Sequence, residues 1–372
     1  MIRLARPWFD EAETSAVQRV LASGMLVQGT EVAAFEHRVA QYLHDLAPSR
    51  GAVLAVAVVN GTSALELALM AAGVAPGDEV IVPGVTWPSP GNAVVLRGAL
   101  PVLVDVELNT FNVDPRRIAE ALTPRTRAII AIDQFGVPAD IPTIRMLAGD
   151  VVVIEDAACA LGSVLNGMPC GLIGDVGTFS FHPRKLITTG EGGMLVTRDR
   201  RAGDTLRALR NHGQDAPGVF RDAGPNARMS ELHAAIGRAQ MDKLPNILAR
   251  RAEFAREIRA AVSLAWQQAP EGAVVNHQTL GFVLPEPAAG SRLEARNALI
   301  TALRADGVEA ALLSYGLHKL PQFARYATNV ARAFPVADAV ADGGVAIPLH
   351  PLLTGDEVAR IIDALRRHAP IA

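Results

Sequence analysis

Five short, β-branched, apolar runs recur through the first half of the chain, and they constrain its fold more than any other feature. They are Leu54-Ala-Val-Ala-Val-Val59, Glu79-Val-Ile-Val82, Pro101-Val-Leu-Val104, Ala128-Ile-Ile-Ala-Ile132 and Val151-Val-Val-Ile154. A run that is apolar at every position has both faces covered, and helical stretches separate these runs. This is the pattern of a mostly parallel sheet with helices on each side. Two further strands are expected at Val176 to Phe181 and Gly193 to Thr197, with Asn166-Gly167 as a tight turn before them. The strand and helix alternation stops at a long alanine-rich helix, Leu232 to Arg259. Beyond it come one strand, Leu280 to Leu284, a helix from Ser291 to Asp306 and a terminal helix from Gly355 to Arg367. The expectation is an α/β fold in which residues 1–245 form a large domain with a mostly parallel sheet, and residues 246–372 a small C-terminal α+β domain.

A chain of 372 residues accommodates two such cores. Its net charge of -3 leaves no basic footprint for nucleic acid or an anionic membrane. The longest apolar runs, such as Ala52 to Val59, fall well short of the ~18 residues that span a bilayer. Met1 to Asp10 carries charges and a proline in place of an apolar leader. Cys159 and Cys170, the two cysteines, make neither a disulfide framework nor a metal cluster, so no metal is expected. These features point to a cytoplasmic protein with free thiols that handles small molecules.

Among 35 basic residues only Lys185, Lys243 and Lys319 are lysines. Lys185 follows a strand and precedes the glycine-rich Gly190-Glu-Gly-Gly193. A primary amine can lose its proton and attack a carbonyl, which a guanidinium cannot, so Lys185 is a candidate for Schiff-base chemistry as well as for an ordinary solvated cation. Other candidates cluster at the carboxyl ends of different strands, where open α/β sheets gather their ligands. Asn60-Gly61-Thr62-Ser63 opens a helix, whose unpaired N–H groups and two hydroxyls suit a phosphate, although Thr62 and Ser63 also read as plain N-caps. Asp156 ends a core strand; there it holds a pyridinium nitrogen or caps a following helix. Period-2 alternation puts Thr178, Ser180 and His182 on one face of their strand and Phe179 and Phe181 on the other. Trp87, just past the second core strand, is either a plate for an aromatic ring or a core residue.

Several stretches together resemble one family. Asn60-Gly-Thr-Ser-Ala-Leu65, Glu155-Asp-Ala-Ala158, Phe179-Ser-Phe-His-Pro-Arg-Lys185, Gly190-Glu-Gly-Gly193 and Asn226-Ala-Arg-Met-Ser-Glu231 are similar to the signatures of the DegT/DnrJ/EryC1/StrS sugar aminotransferases, and the similarity runs from Leu21-Ala-Ser-Gly24 to Ile347-Pro-Leu-His350. The resemblance implies a fold-type I, pyridoxal 5'-phosphate-dependent transferase with two active sites at a homodimer interface. It implies that Lys185 forms the imine with the cofactor, that Asp156 pairs with the pyridine nitrogen and that Trp87 stacks on the ring. Gly61, Thr62, Ser63 and Ser180 would hold the phosphate, with Asn226 reaching across from the partner subunit. Cys159 stands where many relatives carry glutamine or histidine against the cofactor's phenolic oxygen, so it either tunes the ring or only packs. Cys170 reads as structural and Glu191 as a stabiliser of the glycine-rich turn. His182 and His318 are weaker substrate candidates, each also readable as a structural histidine.

The reaction implied moves an amino group from glutamate or glutamine to the keto group of a nucleotide-linked deoxysugar. Lys185 would shuttle the proton, and a cationic neighbourhood of Arg184 and the pyridinium, together with burial, is expected to lower its pKa. Alternatives are a pyridoxamine-dependent sugar dehydratase, a branch in which histidine replaces the lysine; an aminotransferase acting on a keto substrate other than a sugar; and a regulatory homologue without turnover.

Overall fold

A computed structural model describes residues 1–327 and 333–370. Seven strands form the central sheet: β1 Leu54–Val58, β2 Glu79–Pro83, β3 Leu100–Val104, β4 Thr126–Ile132, β5 Val152–Asp156, β6 Val176–Ser180 and β7 Gly193–Thr197. Their spatial order is β1-β7-β6-β5-β4-β2-β3. All neighbours are parallel except β7, which runs antiparallel to both β1 and β6. Alternate residues of each strand feed opposite layers, as the period of two requires. Val56, Val58, Val80, Val82, Ile130 and Ile154 pack into one core, and Ile81, Ile129, Ala131 and Val153 into another on the opposite face.

Three of the helices in this half of the chain are α1 Glu11–Ser23, α2 Thr30–Leu46 and α3 Gly61–Ala71. α1 begins at a capping box, with Asp10 and Glu13 satisfying each other's backbone N–H groups. α2 buries Val32, Phe35, Val39 and Leu43 against Ala55, Ala57, Met194 and Val196. Its first turn is held by Glu231, whose carboxylate accepts from the N–H groups of Gly29, Glu31 and Val32 at 2.8, 2.8 and 3.0 Å. An acid at that end of a helix complements its dipole.

The helix α4 Glu231–Ala261 spans 31 residues and carries Pro245 in its interior. Proline removes one backbone donor there but does not end the helix, because packing on both sides sustains it. Met241, Leu244 and Ile247 lie in the core beneath α2, whereas Phe254, Ala255 and Ile258 lie in a C-terminal core with Trp266, Phe282, Val345 and Leu365. We infer a division of the chain into two domains inside α4, where these partners change. The C-terminal core is built on a three-stranded antiparallel sheet of β8 Leu280–Val283, β9 Ala311–Leu312 and β10 Gly344–Ile347, in the order β8-β10-β9. It is covered by α5 Arg292–Ala305 and α6 Gly355–His368. Ile2 from the other end of the chain joins this core and bridges to Val308.

The C-terminal half packs against the central sheet, with Leu313, Leu317 and Val340 in the core of Val56, Val80 and Ile130. Val85–Thr86, just past β2, pairs antiparallel with Tyr315–Gly316. Among the described residues no helix is long and apolar enough to cross a membrane.

Candidate active site

Lys185 sits in a tight turn after β6. Its backbone N–H donates to His182 O at 2.8 Å, and Arg184 N donates to His182 Nδ1 at 3.2 Å. Further along the loop, Thr188 Oγ1 donates to Phe181 O at 2.7 Å and Phe181 N to Gly192 O at 2.8 Å. These bonds fold the loop back over the end of β6 and fix where the lysine starts. Glu191 contributes its carbonyl, which accepts from Thr189 Oγ1 at 2.6 Å.

From that turn Lys185 Nζ donates to Cys159 Sγ at 3.0 Å. Cys159 lies on a turn after β5 that is pinned from far along the chain, since Asn276 Nδ2 donates to Cys159 O at 2.8 Å and Leu161 O at 2.9 Å. The turn begins at Asp156, which is 5% exposed. Its Oδ1 accepts from Ala158 N at 3.1 Å, and no helix follows, so Asp156 is not a helix cap. Burial raises the Asp156 pKa, and the charge of Lys185 opposes that rise. Burial pulls the Lys185 ammonium downward, but Cys159 and then Asp156 more than offset it, so the lysine's pKa lies above its ordinary value. Cys159 and Asp156 thus outweigh burial at this amine, and Arg184 is exposed.

Next to the lysine turn is the start of α3. Asn60 caps this helix, its Oδ1 accepting from Ser63 N at 2.8 Å, so neither Thr62 nor Ser63 is the N-cap. Thr62 Oγ1 instead shares a hydrogen bond of 2.9 Å with Ser89 Oγ. Gly61 is closely opposed to the end of β6: a Cβ there would come within 2.9 Å of Ser180 Cβ and 3.2 Å of its Oγ. Backbone N–H groups at this helix N-terminus, together with the hydroxyls of Thr62, Ser63 and Ser180, are donors that could hold a phosphate. Only glycine at position 61 leaves this space open.

Trp87 is 60% exposed, far from the core position it would take as an ordinary tryptophan. Its ring meets Tyr315 edge-on, with centroids 5.6 Å apart. Asn226 is exposed and bridges to Asn211, on a segment that runs beside the end of β1 through Val59 N to Ala227 O at 3.1 Å. His318 is turned to other partners: Nε2 bonds Asp338 Oδ1 at 2.8 Å and the ring stacks on Phe334 at 4.5 Å. The donor set fits pyridoxal phosphate, with an open cradle for the anion, a buried carboxylate for the ring nitrogen and an amine between them. Ser89, Asn276 and Tyr315 escape sequence reasoning. Ser89 has no motif, and the other two lie more than a hundred residues from the groups they support.

A family model described as the DegT/DnrJ/EryC1/StrS aminotransferase family matches residues 7–366. The GDP-perosamine synthase of Caulobacter vibrioides is 35% identical over 370 residues, which cover 98% of this chain and 97% of that one. The UDP-N-acetyl-3-dehydro-alpha-D-glucosamine 3-aminotransferase of Acidithiobacillus ferrooxidans is 36% identical over 372 residues, covering 97% and 94%. Among solved structures, the aminotransferase TlmJ from Streptoalloteichus hindustanus matches with a TM-score of 0.88 and 31% identity, over 99% of this chain and 98% of its own.

Proposed function

The chain belongs to the DegT/DnrJ/EryC1/StrS aminotransferase family, whose members depend on pyridoxal phosphate, and on that premise we propose that it moves an amino group from glutamate to the ketone of a nucleotide-linked sugar. The observation that carries this reading is the Lys185 amine held 3.0 Å from Cys159, on the turn that begins at Asp156. Two similar proteins are named for nucleotide-sugar chemistry, which supports a substrate of that class. When bound, the cofactor supplies an electron sink for the carbon that loses or gains a proton.

The protein's own groups divide the work. The start of α3, with Gly61, Thr62, Ser63 and Ser180, would hold the phosphate. Asp156 would pair with the ring nitrogen and favour its protonated form. Trp87, which meets Tyr315 edge-on, would stack on the ring and shield it from water. Cys159 borders the lysine. Lys185 Nζ carries the proton to and from the reacting carbon.

Proton transfer needs the lysine as a free amine. Asp156 is one of the two groups that keep it protonated. Once Asp156 is engaged on the ring nitrogen that support weakens, and burial then favours release of the proton. The same residue that anchors the ring thus prepares the base.

We further infer a homodimer in which the partner's copy of Asn226 completes each phosphate site. Support comes from exposed apolar residues: Met25, Leu26 and Val27 beside Ser230, and Val219 and Phe220 on the hairpin Gln214–Phe220. A panel of nucleotide-linked 3-keto and 4-keto sugars, offered with glutamate while 2-oxoglutarate is measured, tests the assignment. Product with one such sugar supports it. Turnover only with a simple keto acid, or with none of the panel, would remove the sugar substrate.

A further inference from the structure

Behind Asp156 lies a sealed group of acids that this chemistry does not use. Glu155 points to the opposite face of β5. Its oxygens accept from the backbone N–H groups of Gly171 at 2.6 Å and of Ile173 and Gly174 at 2.8 Å. Asp133, just past β4, accepts from Ala139 N through Oδ1 at 2.9 Å, while its Oδ2 is buried without any protein donor. Both acids are 0% exposed. One oxygen of each and the sulfur of Cys170 all lie within 4.8 Å of one another. Burial of two neighbouring carboxylates strongly disfavours ionising both, and an unpaired buried carboxylate oxygen is itself costly.

We propose that Asp133 carries a proton on Oδ2 at neutral pH and donates it to the Glu155 carboxylate, so that the two acids hold one negative charge between them and brace the end of β5 that presents Asp156. Glu155 is the anion of the two, because three N–H groups already point at it. Burial, followed by the charge of Glu155, raises Asp133 well above the usual carboxylate range. Burial also raises Cys170, which stays a neutral thiol beside them. Other charged side chains on the surrounding segments are paired elsewhere: Asp156 faces Lys185 across the strand, and Asp175 pairs with Arg145 at 2.7 Å. The oxygen and sulfur set would also suit a divalent cation, but the N–H bonds already occupy Glu155 and the pocket is closed. The consequence for catalysis rests on the role proposed for Asp156: a second buried anion one residue away would oppose its ionisation, which burial already disfavours.

Two measurements test this on the intact holoenzyme. Infrared spectra at about pH 7, well above the ordinary carboxylate range, should show the carbonyl stretch of a protonated carboxyl, and Asp133→Asn should lack it. In denaturant unfolding, Asp133 holds in the native state a proton that the unfolded chain releases above its ordinary pKa. Its contribution therefore falls as pH rises, and Asp133→Asn should gain about tenfold in folding constant over wild type per pH unit from about pH 5 to about pH 7. A missing infrared band in wild type, parallel stability curves, or a stoichiometric metal ion in the purified protein would each overturn the proposal. The wild-type spectrum decides alone if the variant does not fold. Neither readout depends on transamination, so a failed substrate assay leaves this result standing, and the reverse holds too.

Discussion

Cys159 is the side chain whose removal reports most directly on the lysine. Its sulfur is one of two groups that raise the Lys185 pKa, so Cys159→Ala should move the acidic limb of the kcat/KM profile to lower pH. A limb that stays in place or moves upward would show that the sulfur does not act on the amine. Two histidines make a prediction about acid stability. His277 and His350 are pushed down from 6.5 to about 4, mainly by burial, with Arg251 adding repulsion to both. A histidine depressed in the native state contributes stability above its unfolded pKa and loses it as pH falls towards the native one. Denaturation midpoints should therefore fall between about pH 6.5 and about pH 4, and His350→Gln should flatten that decline. An unchanged slope would contradict it. The identity of Lys185, Asp156 and Ser180 as neighbours was legible in the sequence, because parallel strands deliver their carboxyl ends to one edge. The contact between the lysine and Cys159 was not, since separate loops bring the two within reach.

The start of α3 is the element on which cofactor affinity turns. Gly61→Ala would place a methyl group 2.9 Å from Ser180 Cβ, and overpacking of this kind costs about 1–3 kcal/mol. The strain lies within the fold, so the thermal midpoint of the cofactor-free protein should fall, and the dissociation constant for pyridoxal phosphate, read from tryptophan quenching, should rise as the start of α3 shifts away from Ser180. Unaltered affinity would mean that the cradle lies elsewhere. Strands β1 to β7 were readable as apolar runs because each is covered on both faces. The antiparallel direction of β7 was not, because an apolar run carries no sign of its direction. The division proposed near residue 246 rests in the sequence on the end of the strand and helix alternation, and in the structure on a change of packing partners inside an unbroken helix. The pairing of Val85–Thr86 with Tyr315–Gly316 joins segments too distant for any local pattern to reveal, which is why Tyr315 behind Trp87 went unseen.

For the assembled protein, the reading requires two chains to make one site. Mixing Lys185→Ala with Asn226→Ala after dissociation and reassociation should restore activity, because a mixed dimer contains one site with both residues intact. Activity no higher than the sum of the parent variants would place Asn226 in its own subunit's site or outside any site. The most direct measurement of the central claim is borohydride reduction of the purified protein with pyridoxal phosphate, followed by peptide mapping. The account predicts a pyridoxyl label on Lys185 alone. A label on Lys243, Lys319 or the amino terminus with Lys185 unmodified would contradict it.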